Sequence, residues 1–451
     1  MAARMKGYIV RIRLRLAGQL MVNCRIDTST AKTAAAFFTQ EAIFTSNFQG
    51  GESKTAHWPL PAYFIYLYGP CNKIKRNRFM KMLFPLFVLL NVFTVNAQNH
   101  YLLIGTYTSG KSEGIYVYTF NSSTGNFEYK SKIKSPNPSF LAVAPGEKYV
   151  YAVYEEGKDQ GGGSVAAYRF NKQTGELSFI NQEPTGGDHP CYVATDKTGK
   201  WVTAANYTGG SISVLPVKAG GGLETASQLV QHTGSSVVKE RQEKAHVHCT
   251  FFSADNKFLF TPDLGMDKLM IYSFNDKTGK LTPAPQPFVK TADGSGPRHI
   301  VFSPNNQYAY LMQELTGNVT AFSYKNGKLN ALQTISAATK DFKGFMGSAD
   351  IHVSADGKFL YCSNRGDANT ITIFKINQAT GTLTVAGYQP TLGVAPRNFS
   401  LDPSGNFLLV ANQNSDNIVI FKRNKITGLL TDTGKKIIVG NPVCLKWAGI
   451  N

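Results

Sequence analysis

A repeat of about fifty residues runs through most of this chain and limits the folds that it can form. Its most regular element is the turn Phe-x-x-x-Thr-Gly, which follows an apolar stretch at residues 120–125, 170–175 and 274–279. Looser copies end at Gly327, Gly381 and Gly428. Because one such unit cannot bury its apolar face alone, the units are expected to pack against one another in series.

A second element, a polar turn followed by a β-rich run, recurs once in each unit. Six copies occur, at residues 146–151, 198–202, 255–260, 305–308, 356–361 and 404–409. Together the two elements predict four short strands joined by hairpins, which is the pattern of a propeller blade.

A seventh blade is predicted from the two ends of the repeat region. Residues 101–105 match a second strand that has no first strand before it, and residues 444–447 match a first strand that has no successor. Pairing these segments would remove two exposed sheet edges. The sequence therefore predicts an all-β fold for residues 98–451, a seven-bladed β-propeller closed by pairing the N-terminal and C-terminal strands in one blade.

The charge is concentrated upstream of the repeats. The chain has 47 Lys and Arg against 29 Asp and Glu, and residues 1–97 hold 13 of the basic and three of the acidic side chains. Residues 98–451 thus carry 34 basic and 26 acidic residues, with no basic stripe interleaved with aromatics. Nucleic acid is therefore not an expected partner.

The segment before the repeats resembles an export signal. A basic cluster at residues 73–81 precedes an apolar run at residues 82–95, and Ala97 ends a small-residue cleavage site. The run is too short to span a bilayer comfortably. We interpret residues 80–97 as a signal peptide and residues 1–79 as a non-native upstream extension or a disordered segment, and expect a periplasmic or secreted protein that does not stay inserted in the membrane.

The cysteines of the repeat region match no zinc-binding spacing, and each lies in an apolar run, so buried free thiols are expected. They are Cys191, Cys249, Cys362 and Cys444.

Polar residues interrupt the repeat at two positions. Where the inner strand of each blade begins, the column reads Ser139, Cys191, His248, Arg298, Ala349 and Arg397. Where the second strand ends, it reads Tyr107, Glu155, Tyr207, Leu264, Glu314, Arg365 and Gln413. Because these two strands run antiparallel, both columns should meet at one rim of the propeller.

Four ionisable residues from three adjacent blades are predicted to form a catalytic cluster: His248, Arg298, Glu314 and Arg365. His248 and Glu314 are predicted to form an acid/base pair that activates water and protonates the leaving group, and the sequence does not decide which of the two is the base. The arginines could bind a carboxylate, a phosphate or a developing oxyanion. His352 lies beyond this rim column and is expected to be structural.

Other polar residues near the rim are candidate substrate ligands: Glu155, His189, Asn206, Tyr207, His246, Asn364 and Arg397. The rim columns contain mostly His, Arg and Tyr, so we predict no catalytic metal and no cofactor. Asn206, Asp263 and Asn364 are the one alternative position for a bound cation.

These residues resemble the lactonase family of seven-bladed propellers, which includes bacterial 6-phosphogluconolactonase and fungal carboxymuconate cycloisomerase. The resemblance covers residues 100–450 and rests on motifs such as Ala245-His246-Val247-His248, Gly296-Pro297-Arg298-His299, Gln313-Glu314-Leu315 and Ser363-Asn364-Arg365-Gly366. It implies metal-independent hydrolysis of a sugar or aldonic acid lactone, with His248, Arg298, Glu314 and Arg365 as the catalytic set. Asp350 departs from the family pattern, in which relatives often have Glu.

Two alternatives remain open at this point. A lactonizing cycloisomerase would need a similar site, and a non-catalytic periplasmic propeller could use the same rim to bind a ligand. For a lactonase, the expected partner is a small anionic lactone, and the protein is expected to be a monomer.

Overall fold

The computed structural model describes residues 99–450 in full and, upstream, the backbone of four strands, which are β1 (Ile9–Leu16), β2 (Leu20–Asp27), β3 (Phe44–Asn47) and β4 (Ser53–Ala56). β1 pairs with β2, and β3 pairs with β4, in two antiparallel hairpins. The rest of residues 1–98 lies outside the described residues, and with it the predicted signal peptide and most of the predicted upstream extension.

Seven four-stranded antiparallel sheets make up the repeat region, one for each blade. From the inner to the outer strand, blade 1 consists of β32 (Pro442–Gly449), β5 (Asn99–Thr106), β6 (Gly114–Asn121) and β7 (Phe127–Lys134); blade 2 of β8 (Leu141–Val143), β9 (Tyr149–Tyr154), β10 (Ser164–Asn171) and β11 (Glu176–Pro184); blade 3 of β12 (Pro190–Thr195), β13 (Trp201–Asn206), β14 (Ser211–Pro216) and β15 (Gln228–Gln231); and blade 4 of β16 (Phe251–Phe252), β17 (Phe258–Asp263), β18 (Lys268–Phe274) and β19 (Leu281–Lys290). Blade 5 consists of β20 (Pro297–Phe302), β21 (Tyr308–Gln313), β22 (Asn318–Lys325) and β23 (Lys328–Ser336); blade 6 of β24 (Ser348–Val353), β25 (Phe359–Asn364), β26 (Thr370–Ile376) and β27 (Leu383–Pro390); and blade 7 of β28 (Pro396–Leu401), β29 (Phe407–Asn412), β30 (Asn417–Arg423) and β31 (Leu430–Ile438).

Blade 1 closes the ring as predicted. The last strand of the chain, β32, pairs with the first strand of the propeller, β5, so that Leu445 lies opposite Ile104. A seven-bladed β-propeller closed between its two ends is therefore confirmed, and the free edges of both terminal strands are paired.

Both repeated sequence elements take part in one contact, which recurs between neighbouring blades. The glycine of each outer turn adopts a positive φ and faces the aromatic residue that opens the second strand of the preceding blade. A Cβ on Gly279 would lie 2.3 Å from the Trp201 ring, and one on Gly428 would lie 2.3 Å from Phe359. Only glycine combines this backbone conformation with so close an approach, which explains why the turn ends in Gly in every copy.

The remaining regular structure is short. Between β15 and β16 lies a four-residue α-helix, Lys239–Gln242, and single 3₁₀ turns occur at Lys158–Gln160 and Gln413–Ser415. None of the described helices is long and apolar enough to cross a membrane. Cys191, Cys249, Cys362 and Cys444 are buried free thiols, as predicted.

Candidate active site

The rim is organised by a backbone hydrogen bond that recurs in every blade. The residue that follows each second strand donates its N–H to the carbonyl of a residue just before the inner strand, as from Glu314 to Gly296 at 2.7 Å and from Tyr207 to His189 at 3.0 Å. The two polar columns of the sequence therefore do meet at one rim, as predicted.

β-Bulges determine which inner-strand side chains lie at this rim. The pairing of β20 with β21 skips Arg298, and the pairing of β28 with β29 skips Arg397, so each arginine is the extra residue of a bulge. Cys191 occupies the same place in β12. A bulge turns its residue out of the regular alternation of a strand, which allows these polar side chains to converge.

Glu314 is the centre of the cluster. Its Oε2 lies 2.9 Å from Nε of Arg298 and 3.1 Å from Nη2 of Arg365, and its Oε1 lies 2.6 Å from Nη2 of Arg241. The side chain is 5% exposed. Although burial alone would raise its pKa, the guanidinium groups of Arg365, Arg298 and Arg241 lower the pKa of Glu314 to about 2. At neutral pH the group is a carboxylate shared by three cations.

His248 lies in the neighbouring blade and is buried. Its Nδ1 is 3.6 Å from Sγ of Cys191, and its ring meets those of Tyr207 and His299 edge to face, with centroids 5.3 and 5.4 Å apart. Burial and the charge of Arg298 hold the pKa of His248 well below its usual range. The imidazole is therefore neutral at pH 7, and its Nε2 has no hydrogen-bond partner among residues 99–450.

A second group of polar residues lies at blades 1, 2 and 7. Arg397 is placed over the ring of Tyr107, 5.4 Å from its centroid, and makes no hydrogen bond to another residue in the described part of the chain. The hydroxyl of Tyr107 donates to Glu155 at 2.8 Å, and Ser139 donates to the same oxygen. Arg397 thus presents a guanidinium group whose donors are all left for a ligand.

Arg241 was not predicted from the sequence. It lies on the short helix between blades 3 and 4, outside the repeat, where alignment of the blades provides no column for it. Its Nη2 reaches both Glu314 and, at 3.3 Å, the hydroxyl of Tyr207. The helix is fixed by the amide of Gln242, which donates to Asp267 at 2.9 Å. The length of the connection between β15 and β16 is the one sequence feature that could have indicated a functional residue there.

Two predicted ligand residues, His189 and His246, lie beside the cluster rather than in it. His246 stacks on Tyr207 with centroids 4.6 Å apart and has Glu243 3.1 Å from its Nε2. His189 lies at a positive φ just before β12, with its side chain 39% exposed. Tyr207, a third predicted ligand, does contact the cluster, because its hydroxyl accepts a hydrogen bond from Arg241 and its ring meets that of His248.

Asn206 and Asn364, predicted to bind substrate, are placed inside their blades. The amide of Asn206 donates to Ser211 and Ser213 at 3.0 and 2.9 Å, and that of Asn364 donates to Thr372 at 3.0 Å. Each is the last residue of a second strand, whose side chain turns into the blade while the next residue faces the rim. Neither amide makes a hydrogen bond to the cluster, and the prediction that both residues bind substrate stays a prediction.

The alternative cation position is divided in the same way. Asp263 is fully buried in blade 4, where it pairs with Nδ1 of His232 at 2.7 Å and accepts the backbone N–H of His246 at 2.8 Å. Asn206, Asp263 and Asn364 thus belong to three different blades, and each is occupied by hydrogen bonds to other residues. They do not form a common site.

Comparison with known proteins identifies the group to which this arrangement belongs. The chain matches the family described as "Lactonase, 7-bladed beta-propeller" over residues 101–447. It is 40% identical over 349 residues to a 6-phosphogluconolactonase of Formosa agariphila, which covers 76% of this chain and 98% of that protein. It is 38% identical over 347 residues to the 6-phosphogluconolactonase of Bacillus subtilis, covering 76% of this chain and 97% of the relative.

Solved structures agree with these matches. The periplasmic gluconolactonase of Pseudomonas aeruginosa superposes with a TM-score of 0.75 at 38% sequence identity, covering 78% of this chain and 100% of that one. The predicted resemblance is confirmed, and the chain belongs to the lactonase family of seven-bladed β-propellers.

Proposed function

We propose that this protein hydrolyses a sugar or aldonic acid lactone at the rim formed by His248, Arg298, Glu314 and Arg365. The observation that carries the proposal is a neutral, buried imidazole placed beside guanidinium groups. Ester hydrolysis at neutral pH needs a general base and a positive group that stabilises the oxyanion, and these side chains can provide both. Its relatives named 6-phosphogluconolactonase and gluconolactonase support the same reaction class.

His248 is the group that we assign as general base. Its Nδ1 faces Cys191, so Nε2 is the nitrogen left to take a proton from water. The hydroxide adds to the lactone carbonyl, the ring C–O bond breaks, and the proton passes from His248 to the ring oxygen that leaves. The products are a hydroxyl and a carboxylic acid on one open chain, and the acid releases its proton to solvent to become a carboxylate.

Glu314 has a different role in this proposal. With a pKa lowered to about 2, it carries no proton to donate at neutral pH, and ion pairs occupy both of its carboxylate oxygens. Its three ion pairs instead hold Arg241, Arg298 and Arg365 around one point. Arg298 and Arg365 then face the oxyanion that develops when water adds to the carbonyl.

The charge of the rim favours an anionic lactone. Four arginines, at positions 241, 298, 365 and 397, face two glutamates, Glu155 and Glu314, so the cluster has a surplus of positive charge. Arg397 has no carboxylate of its own within salt-bridge distance among residues 99–450, and so is the best placed to bind a carboxylate or phosphate of the substrate bidentately.

We place this reaction in the periplasm or outside the cell, because the sequence upstream of the propeller resembles an export signal and a gluconolactonase of similar structure is periplasmic. A non-phosphorylated aldonic lactone is therefore a substrate to be tested alongside the 6-phosphate.

The test is acid release by the purified protein from D-glucono-δ-lactone and from its 6-phosphate, measured above the spontaneous rate at pH 6.5. Ring opening of either lactone supports the proposal. The same protein is incubated with a carboxymuconate and followed by ultraviolet absorbance. Lactone formation from the muconate without lactone hydrolysis would show a cycloisomerase, and binding without turnover of any substrate would show a ligand-binding propeller.

A further inference from the structure

Behind the rim, Arg298 is connected to a buried chain of hydrogen bonds that the reaction does not use directly. Nη1 of Arg298 lies 3.2 Å from Nε2 of His299, and Nδ1 of His299 lies 2.8 Å from Oδ1 of Asp350. The three residues are 1%, 5% and 3% exposed, respectively. The chain runs from blade 5 into blade 6.

Asp350 is held in place from several sides. Its Oδ2 lies 2.9 Å from Nε2 of His352 and accepts a hydrogen bond from the amide of Asn398. The amide oxygen of Asn398 in turn accepts the backbone N–H of Leu445 at 2.8 Å. The carboxylate is thus fixed by residues of blades 5, 6 and 7, and through Asn398 by blade 1, so it cannot rotate without breaking several bonds.

The hydrogen bonds between Arg298, His299 and Asp350 can run in only one direction from donor to acceptor. Arginine has donors and no acceptor, so Nε2 of His299 must be the accepting nitrogen. The ring proton is then on Nδ1 and is donated to Asp350. Burial and the neighbouring Arg298 lower the pKa of His299 to about 4, so the neutral tautomer persists at neutral pH.

Arg298 is consequently held at two edges of its guanidinium plane. Nε donates to Glu314, while Nη1 donates to His299 and to the carbonyl of Ala349. Arg397, in the equivalent place of another blade, has no such support. A planar group bound at two edges keeps one orientation, and only Nη2 remains for the substrate.

We propose that His299 and Asp350 are positioning residues, which hold Arg298 in the orientation that its contact with the oxyanion requires. The inference rests on the proposed function, because it concerns what Arg298 does in lactone hydrolysis. It predicts that the hydrogen bonds from Asp350 through His299 affect kcat by orienting Arg298, because small displacements of a catalytic group lower the rate strongly.

A purely structural role is the competing explanation, and the molecule provides a control for it. His352 binds the other oxygen of the same carboxylate but does not touch Arg298. Asp350→Asn should lower kcat for the lactone on the order of 10²-fold, with KM changed less, whereas His352→Gln should lower Tm and leave kcat within about twofold. Asp350→Glu, which restores a carboxylate, should recover most of the lost kcat.

A second measurement needs no substrate and no variant. Nitrogen-15 NMR of histidine-labelled protein should show His299 in the Nδ1–H tautomer and still neutral at pH 5.5. An Nε2–H tautomer, or equal loss of kcat in Asp350→Asn and His352→Gln, would overturn the proposal. Absence of lactone hydrolysis by the unaltered protein would instead reject the proposed function, and the tautomer of His299 would still decide whether the chain orients Arg298.

Discussion

Nη2 of Arg241 lies 2.6 Å from Oε1 of Glu314, and this contact connects a loop outside the repeat to the rim cluster. Nε and Nη1 of Arg241 make no hydrogen bond within residues 99–450, and its side chain is 35% exposed. Arg241→Met should therefore raise KM for an anionic lactone about tenfold with little change in kcat, since about 1.4 kcal/mol of binding is lost. Steady-state kinetics checks this, with Lys239→Met on the same helix as control. Equal KM values in the two variants would remove Arg241 from the site.

The arginines that face the open site should discriminate between charged and neutral substrates. Arg365→Ala and Arg397→Ala should each raise KM for a lactone that carries a carboxylate or phosphate more than for a neutral one. The difference should be roughly 1.5–3 kcal/mol, the range for a hydrogen bond to a charged group. Of the two, Arg397→Ala is the cleaner variant, because no carboxylate loses its partner. The same KM change for both substrates would indicate a structural role.

Neutralising Glu314 should affect both stability and rate. Glu314→Gln leaves Arg241, Arg298 and Arg365 without their shared carboxylate in a mostly buried place, and breaking a buried pair costs about 3–5 kcal/mol. Thermal unfolding should show a lower Tm, and kcat should fall because the arginines are no longer gathered. A variant with unchanged Tm and reduced kcat would instead favour Glu314 as a proton carrier.

Stability should fall with acid in two successive ranges. His299 has a folded-state pKa of about 4 against an ordinary value of 6.5, so the unfolded state binds more protons between these values. Its contribution is complete above pH 6.5 and is lost as the pH falls towards 4. Glu314, lowered from 4.5 to about 2, contributes fully above pH 4.5 and loses its contribution below it. Each range corresponds to about 3 kcal/mol.

Urea unfolding at a series of pH values measures both ranges. His299→Gln should reduce the loss of stability in the upper range, to which the buried His248 also contributes, and Glu314→Gln should reduce the loss in the lower range, to which the buried Asp350 also contributes. Stability that is constant from pH 7 to pH 4.5 would contradict the neutral state assigned to His299.

The repeat made the blades predictable, because both of its elements enter a contact that every blade needs. Gly279 receives the ring of Trp201, and equivalent pairs recur around the ring, so the spacing in sequence reports the spacing in space. The same register brought Arg298 and Glu314 together correctly. A contact that every blade needs requires the same residues at a regular spacing in the sequence, and that spacing allowed the blades to be predicted.

The features that lack a period were missed. Arg241 lies on a connection that has no counterpart in other blades, and the bulge at Arg298 changes the direction of a side chain without changing the residue pattern. Asn206 and Asn364, which were predicted to bind substrate, adjoin the second-strand column, but the alternation of a strand turns the last residue of each second strand into its blade. A shift of one residue in register therefore decides whether a side chain faces the rim or the interior of a blade.

If His248 is the base for lactone hydrolysis at this rim, its loss should nearly abolish turnover of D-glucono-δ-lactone or its 6-phosphate. We expect kcat of His248→Ala to be on the order of 10²–10⁴-fold lower than that of the unaltered protein, the usual contribution of a positioned base. We also expect His352→Gln to lower Tm before it lowers activity. A His248→Ala variant with nearly unchanged kcat beside an inactive His352→Gln would exclude His248 as the base and move the site to another column of the repeat.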